Sequence, residues 1–117
     1  MVKSVLDYLE KSEKDFPKKI AVVDENGSET FSSLAIKSRK VGTFFVNKGL
    51  KKNDVVVVLL GKNKKALPSF WGVTYAGGIY SPMDCHAPVS RLEKIIDVLM
   101  PAYVLTDNDN KEKALEL

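Results

Sequence analysis

One cysteine, one histidine, one tryptophan and two arginines are all that this chain of 117 residues holds of those types. A lone Cys85 excludes an intrachain disulfide. His86 is adjacent to it, but a metal site needs three or four ligands and the sequence offers no second pair. A cysteine nucleophile would need a positioned base in an electropositive setting, and adjacency in sequence supplies neither. The pair reads as ordinary loop. With so few arginines, the net charge of +3 comes from lysines, gathered at Lys18-Lys19, at Lys48 with Lys51-Lys52, and at Lys62 with Lys64-Lys65. Groove readers lean on arginine, and single-strand binders interleave aromatic rings with their cations. Neither pattern is present, so no nucleic-acid partner is expected, and the lysines read as solvated loop and helix ends.

Long apolar runs are missing as well. Nothing approaches the ~20 residues that would span a bilayer, and Met1 to Lys11 carries charges where a signal peptide has its apolar stretch. The expectation is a cytoplasmic protein with no membrane partner. Two nucleotide signatures, G-x-G-x-x-G and the Walker loop, are absent. Gly61-Lys62-Asn63 stands where a receiver domain would cluster acidic residues to hold a metal.

What the chain does contain is an ordinary globular composition, 44% hydrophobic and 28% charged. No repeat, linker or low-complexity tract divides it, so residues 1–117 read as one α/β unit. Val2, Val5, Leu6 and Leu9 make a helical stripe over Val2 to Lys14, stopped at Asp15-Phe16-Pro17. Ile20 to Val23 is a short strand. Asn26-Gly27 predicts a two-residue hairpin turn, with Glu29-Thr30-Phe31 returning. Such pairing sets Asp24 opposite Glu29, a like-charge contact that a slightly longer loop would relieve. Ser32 or Ser33 offers an N-cap for the next helix. Its apolar face is Leu34, Val41, Phe45 and Phe44, with Lys37, Arg39 and Lys40 outside it, and Gly49 ends it.

Val55 to Leu60 is apolar without alternation, as in a parallel strand covered on both faces. Ala66 to Ala76 is apolar nearly all round, which predicts a buried helix with Pro68 in its first turn. On that helix Trp71 and Tyr75 could form a stacking platform, but core packing is the expected role. Gly77-Gly78 ends the helix, and Ile79-Tyr80-Ser81 is the next strand. Pro88 opens a helix carrying Val89, Leu92, Ile95, Ile96 and Leu99, which Pro101 stops. Tyr103-Val104-Leu105 is a further strand, and Lys111 to Leu117 begins a helical pattern with no cap. Both crossovers exceed the ~10–12 residues a parallel connection needs. The expected fold is a layered α/β sheet, mostly parallel, with helices on both faces, right-handed crossovers and an N-terminal helix and hairpin.

The order of short motifs points further. Thr30-Phe31-Ser32-Ser33-Leu34 resembles the first core motif of adenylate-forming enzymes, T-Y-x-E-L. Lys48-Gly49-Leu50, Asp54 and the valine run are similar to that family's glycine–hydrophobic and G-D-x-V segment. Tyr75 to Asp84 with Pro88, Arg91 and Leu92 resembles its second core motif, A-G-G-x-Y-x-P-x-D followed by P-x-x-R-L. Tyr103 to Asp107 looks like the strand that precedes its phosphate loop. The resemblance runs from about Ile20 to Asp107. Phe31 and Ser33 depart from the tyrosine and the acidic residue of the first motif, and Cys85-His86 departs from the usual residues after the second.

The P-x-D…P-x-x-R-L form is most similar to amino-acid adenylation domains and D-alanine–carrier protein ligases. Acyl-CoA synthetases are the nearer alternative, and a complete α/β binding or interaction module the more distant one. The resemblance implies an N-terminal portion of a ligase that activates a carboxylate with ATP and Mg2+ and passes the acyl group to a carrier protein or to CoA. That family's phosphate loop, later carboxylates and C-terminal lysine have no counterpart in Met1–Leu117. No catalytic, cofactor-binding or metal residue is therefore assigned here, ATP and Mg2+ are expected to be held outside these residues, and the chain alone is expected to be inactive. Asp84 is expected to brace its loop through N–H bonds or to pair with Arg91. The partner expected is the remainder of the enzyme, with self-association through uncovered sheet edges where that remainder is missing.

Overall fold

A computed structural model describes residues 4–61 and 64–117. The order of elements is α1 (Leu6–Asp15), β1 (Ile20–Asp24), β2 (Gly27–Thr30), α2 (Phe31–Asn47), β3 (Val55–Leu60), α3 (Ala66–Tyr75), β4 (Ile79–Asp84), α4 (Val89–Leu99), β5 (Tyr103–Thr106), a 3₁₀ turn at Asn108–Asn110 and α5 (Lys111–Leu115). The valine run is the middle strand of a three-stranded sheet in the order β4-β3-β5, parallel on both sides. Side chains of a strand alternate between faces, so β3 builds two cores. Val56 joins Phe45, Leu50 and Val73 on the face covered by α2 and α3. Val57 and Leu59 join Met83 and Leu92 on the face covered by α4 and α5. Helices on both faces account for the missing alternation. Both crossovers are parallel, as expected.

A third cluster, Leu9, Leu34 and Ala35, docks α1 and the hairpin onto the outside of α2 and α3. Trp71 and Tyr75 pack there, which makes them core residues rather than a stacking platform. Polar contacts reinforce the junction. Arg39 forks onto Glu13, and Glu13 raises its already high pKa. The Tyr75 hydroxyl donates to Glu10 at 3.3 Å. Burial, chiefly, and then the Glu10 charge raise the Tyr75 pKa.

Several local expectations shift. The N-terminal helix begins at Leu6, with Val5 exposed, and Val2 lies outside the described residues. The hairpin pairs Asp24 with Gly27, so Glu25-Asn26 is the turn rather than Asn26-Gly27. Moving the turn by one residue shifts the partner of Glu29 from Asp24 to Val22 and removes the like-charge pair, and the Glu29 side chain is buried. An Asp24 carboxylate oxygen accepts from the Asn26 N–H at 2.8 Å and so supplies the turn geometry.

Thr30, not Ser32 or Ser33, caps α2, its hydroxyl accepting from the Ser33 N–H at 3.1 Å. Phe44 lies outside the buried face of α2, 55% exposed, while Phe45 points in. Pro88 precedes the first residue of α4 and serves as its cap position. β4 runs on to Asp84, three residues beyond expectation. It includes Pro82, which an edge strand tolerates because its missing N–H faces away from the ladder. Asp107 accepts from the Asn110 N–H at 3.0 Å and caps the turn that leads into α5.

Gly77 ends α3 at φ +85, a conformation that side chains resist. The tighter glycine constraint is Gly72, in the middle of α3. A Cβ there would sit 2.5 Å from the Cβ of Val41 and 2.9 Å from the Ser38 carbonyl of α2. Small residues on both helices (Ser38, Gly42, Ser69 and Gly72) let the two backbones approach.

Candidate functional site

Ligands of open α/β sheets gather at the carboxyl ends of parallel strands, where neighbouring strands send their chains to opposite faces. This sheet has two such places. β3 leads into α3 on one face, while β4 and β5 lead into α4 and α5 on the other. A cleft opens on each side of the end of β3.

The β3–β4 cleft, about 1040 Å³, is lined by Leu60, Gly61, Phe70 and the segment Pro82 to His86. This is where the second motif ends. Asp84 accepts the His86 N–H at 2.9 Å and so braces the loop, as expected, and Arg91 makes no ion pair among the described residues. Cys85 packs against the Val57–Leu92 core. Lys113 of α5 donates to the carbonyls of Cys85 and Ala87 at 2.7 and 2.9 Å, fixing the loop from the opposite side. No three His, Cys, Asp or Glu side chains converge among the described residues. Phe70 and Tyr80 stack beside this cleft with ring centroids 4.6 Å apart. The chain's aromatic platform is this pair, joining α3 to β4, and only tertiary contact creates it.

The β3–β5 cleft, about 810 Å³, was not legible as a site in the sequence. Its rim brings together Lys37 and Lys40 of α2, Lys64 and Lys65 before α3, and Lys111 of α5. Glu29 is buried beneath them. Ser33 and Lys37 donate to its two carboxylate oxygens, and the Lys64 ammonium lies 3.9 Å away. The Lys37 bond foremost, then the Ser33 bond, hold the Glu29 pKa below the usual carboxylate range. Asp24 is lowered in the same way, chiefly by the Lys64 N–H that it accepts at 2.7 Å. Where the first family motif has an acidic residue this chain has Ser33, and Glu29 supplies a carboxylate beside the first turn of α2. The spacing Glu29, Ser33, Lys37 is the one sequence signal that could have revealed it.

This arrangement carries a pH dependence. A lowered carboxylate pKa contributes stability that is complete above the unfolded value, about 4.3, and that is lost as the pH falls through the folded value. Glu29→Gln is expected to cost about 1–3 kcal/mol at pH 7, since it weakens a charge-assisted pair. The difference from the natural chain should shrink in urea titrations at pH 3. A difference unchanged with pH would contradict this account of Glu29.

No helix among the described residues is long and apolar enough to cross a membrane. Residues 9–117 match the family described as AMP-binding enzyme. Gramicidin S synthase 1 of Brevibacillus brevis is 28% identical over 104 residues, which cover 89% of this chain and 10% of that synthase. The hybrid PKS-NRPS synthetase apdA of Emericella nidulans is 30% identical over 104 residues, covering 89% of this chain and 3% of its own length. The chain thus spans a tenth or less of the synthetases it matches. Among solved structures, VinN with 3-methylaspartate superposes with a TM-score of 0.88 at 22% identity, over 94% of this chain and 31% of VinN. The Klebsiella oxytoca NpsA N-terminal subdomain, in complex with 3-hydroxybenzoyl-AMSN, gives 0.84 at 18% identity, over 92% and 27%. These likenesses establish that the chain shares the α/β fold of these solved structures. With a match running from residue 9 to residue 117, the chain belongs to the AMP-binding enzyme family.

Proposed function

We propose that this chain is the N-terminal α/β portion of an amino-acid-activating ligase. In the reaction, a carboxylate oxygen attacks the α-phosphorus of ATP. A mixed acyl–phosphate anhydride bond forms, the α–β phosphoanhydride breaks and pyrophosphate leaves. A thiol sulfur, on a carrier protein, then attacks the acyl carbon and AMP departs. The observation that carries this reading is the family match through residues 9–117, together with relatives that are peptide synthetases. An adenylation–carrier fusion among the structural neighbours, NpsA-ThdA, supports a carrier as the acceptor.

The described residues do not fit a Mg2+–ATP centre, since no three acidic or imidazole groups converge and the sequence lacks a Ser/Thr/Gly-rich loop ending in P-K-G. The role of these residues is to form the packed layers on which such a centre rests. The outer edges of β4 and β5, which pair with no further strand among the described residues, favour docking to the remainder of the enzyme or, in its absence, self-association. The setting proposed is the cytoplasm.

ATP–pyrophosphate exchange by a longer product of the same gene tests the branch. Amino acids are expected to drive exchange and fatty acids to leave it at background. Exchange driven by fatty acids alone would favour the acyl-CoA synthetase reading and sink the amino-acid one.

A further inference from the structure

Two segments meet where β4 and β5 end. One is the loop at residues 85–88, which lines the β3–β4 cleft through Cys85 and His86. The other is the 3₁₀ turn with α5, residues 108–117, which follows β5. The loop takes its shape from within. The Asp84 carboxylate accepts from the His86 N–H, and the Asp84 carbonyl accepts from the Ala87 N–H at 3.1 Å. Two things tie it to the rest of the fold. Cys85 and Ala87 pack on the Val57–Leu92 core, and the Lys113 ammonium bridges the carbonyls of the same two residues.

The segment 108–117 is lightly held. No residue of the 3₁₀ turn or of α5 is fully buried, and Leu115 is 76% exposed. Only part of Ala114 and Leu117 is covered, by that same core. α5 has five residues, and isolated helices shorter than ~12–15 residues are marginal in water. Its polar anchors are the Asp107 cap on Asn110 at the start and Lys113 in the middle. Lys113 is half-buried and makes no ion pair among the described residues. The loop carbonyls are therefore the groups that compensate its charge, and hydrogen bonds from an ionised donor are the stronger kind.

We infer that residues 108–117 form a strap that opens and closes over the loop at residues 85–88, with the Lys113 ammonium as its catch. Segments with few buried apolar contacts open at a free energy well below that of the whole domain. Opening withdraws support from one wall of the β3–β4 cleft and uncovers the Cys85 thiol, which is half-buried when the strap is closed. Lys113 is thus a positioning residue for the loop that ends the second motif. This motion is independent of the adenylation reading, since it depends only on packing within this chain.

Cys85 is the only cysteine, so its alkylation by excess iodoacetamide reads the opening at one place. Lys113→Met keeps an apolar stem and removes the ammonium. It is expected to speed alkylation of the folded 117-residue chain about tenfold or more. Lys113→Arg retains donors for both carbonyls and should stay within about threefold of the natural rate. Lys111→Met, on the same helix, should stay within about twofold. The acceleration should be present below the urea concentration at which Trp71 fluorescence reports global unfolding. In the natural chain, hydrogen exchange at the Ala87 and Leu115 amides is expected to show protection about tenfold or more below that of Val57. Alkylation unchanged by Lys113→Met, an equal acceleration by Lys111→Met, or acceleration that appears only with global unfolding would each overturn the strap. So would protection of Ala87 and Leu115 equal to that of Val57.

Discussion

Gly72→Val is expected to abolish the native fold, and Gly72→Ala to lower the urea midpoint by the equivalent of about 2 kcal/mol. Two effects oppose each other at this position. Replacing glycine by alanine in a helix interior gains about 1 kcal/mol of propensity. Forcing a methyl into a packed seam costs about 1–3 kcal/mol and occasionally more. The geometry decides between them. The added Cβ would stand 2.5 Å from the Cβ of Val41, an atom fixed to the backbone of α2 that no rotamer change can move. Relief therefore requires α2 and α3 to separate, and their separation opens the Phe45–Val73 core. Valine adds two more methyl groups at the same place. For a domain whose whole stability is about 5–15 kcal/mol, that is enough to populate the unfolded state. An alanine variant as stable as the natural chain, or more so, would mean that the two helices do not cross this closely.

The second large effect separates the two residues that close the second family motif. Leu92 is 1% exposed and sits among Val57, Leu59 and Met83. Leu92→Ala removes its contacts and leaves a cavity under α4, with an expected loss of about 2–5 kcal/mol. Arg91 is exposed at the adjacent position. Arg91→Ala is expected to change stability by no more than about 0.5 kcal/mol. Paired thermal or urea denaturation of the two variants measures the contrast. Comparable losses would show that Arg91 is engaged in the folded chain, and that the motif is not divided between a core residue and a surface residue.

Much of this architecture is written locally. The unbroken apolar run at Val55–Leu60 marks a doubly covered strand, and its four middle residues are buried. The stops at Pro17, Gly49, Gly77 and Pro101 come from backbone constraints that act over a few residues. What the sequence left open depends on contacts between distant segments. Asn26-Gly27 is a strong hairpin signal, but burial of Glu29 against α2 favours the neighbouring register. Phe44 and Phe45 are equivalent by composition, and only the direction of the helix against the sheet sends one inward and the other out.

The β3–β5 cleft was hidden for the same reason. Its lysines belong to three segments between Lys37 and Lys111, and as separate groups they look like solvated loop and helix positions. Folding the parallel strands side by side gathers them at one edge of the sheet. The motifs that resemble adenylate-forming enzymes fall at a capped helix start, a glycine exit, a braced loop and a buried leucine.

The proposed role of these layers is to support a reactive centre formed by other residues. ATP–pyrophosphate exchange by the purified 117-residue chain, beside a longer product of the same gene and across amino acids and fatty acids, tests that most directly. The expected result is background exchange from the chain alone and substrate-dependent exchange from the longer product. Substrate-dependent exchange catalysed by the 117 residues unaided would contradict it.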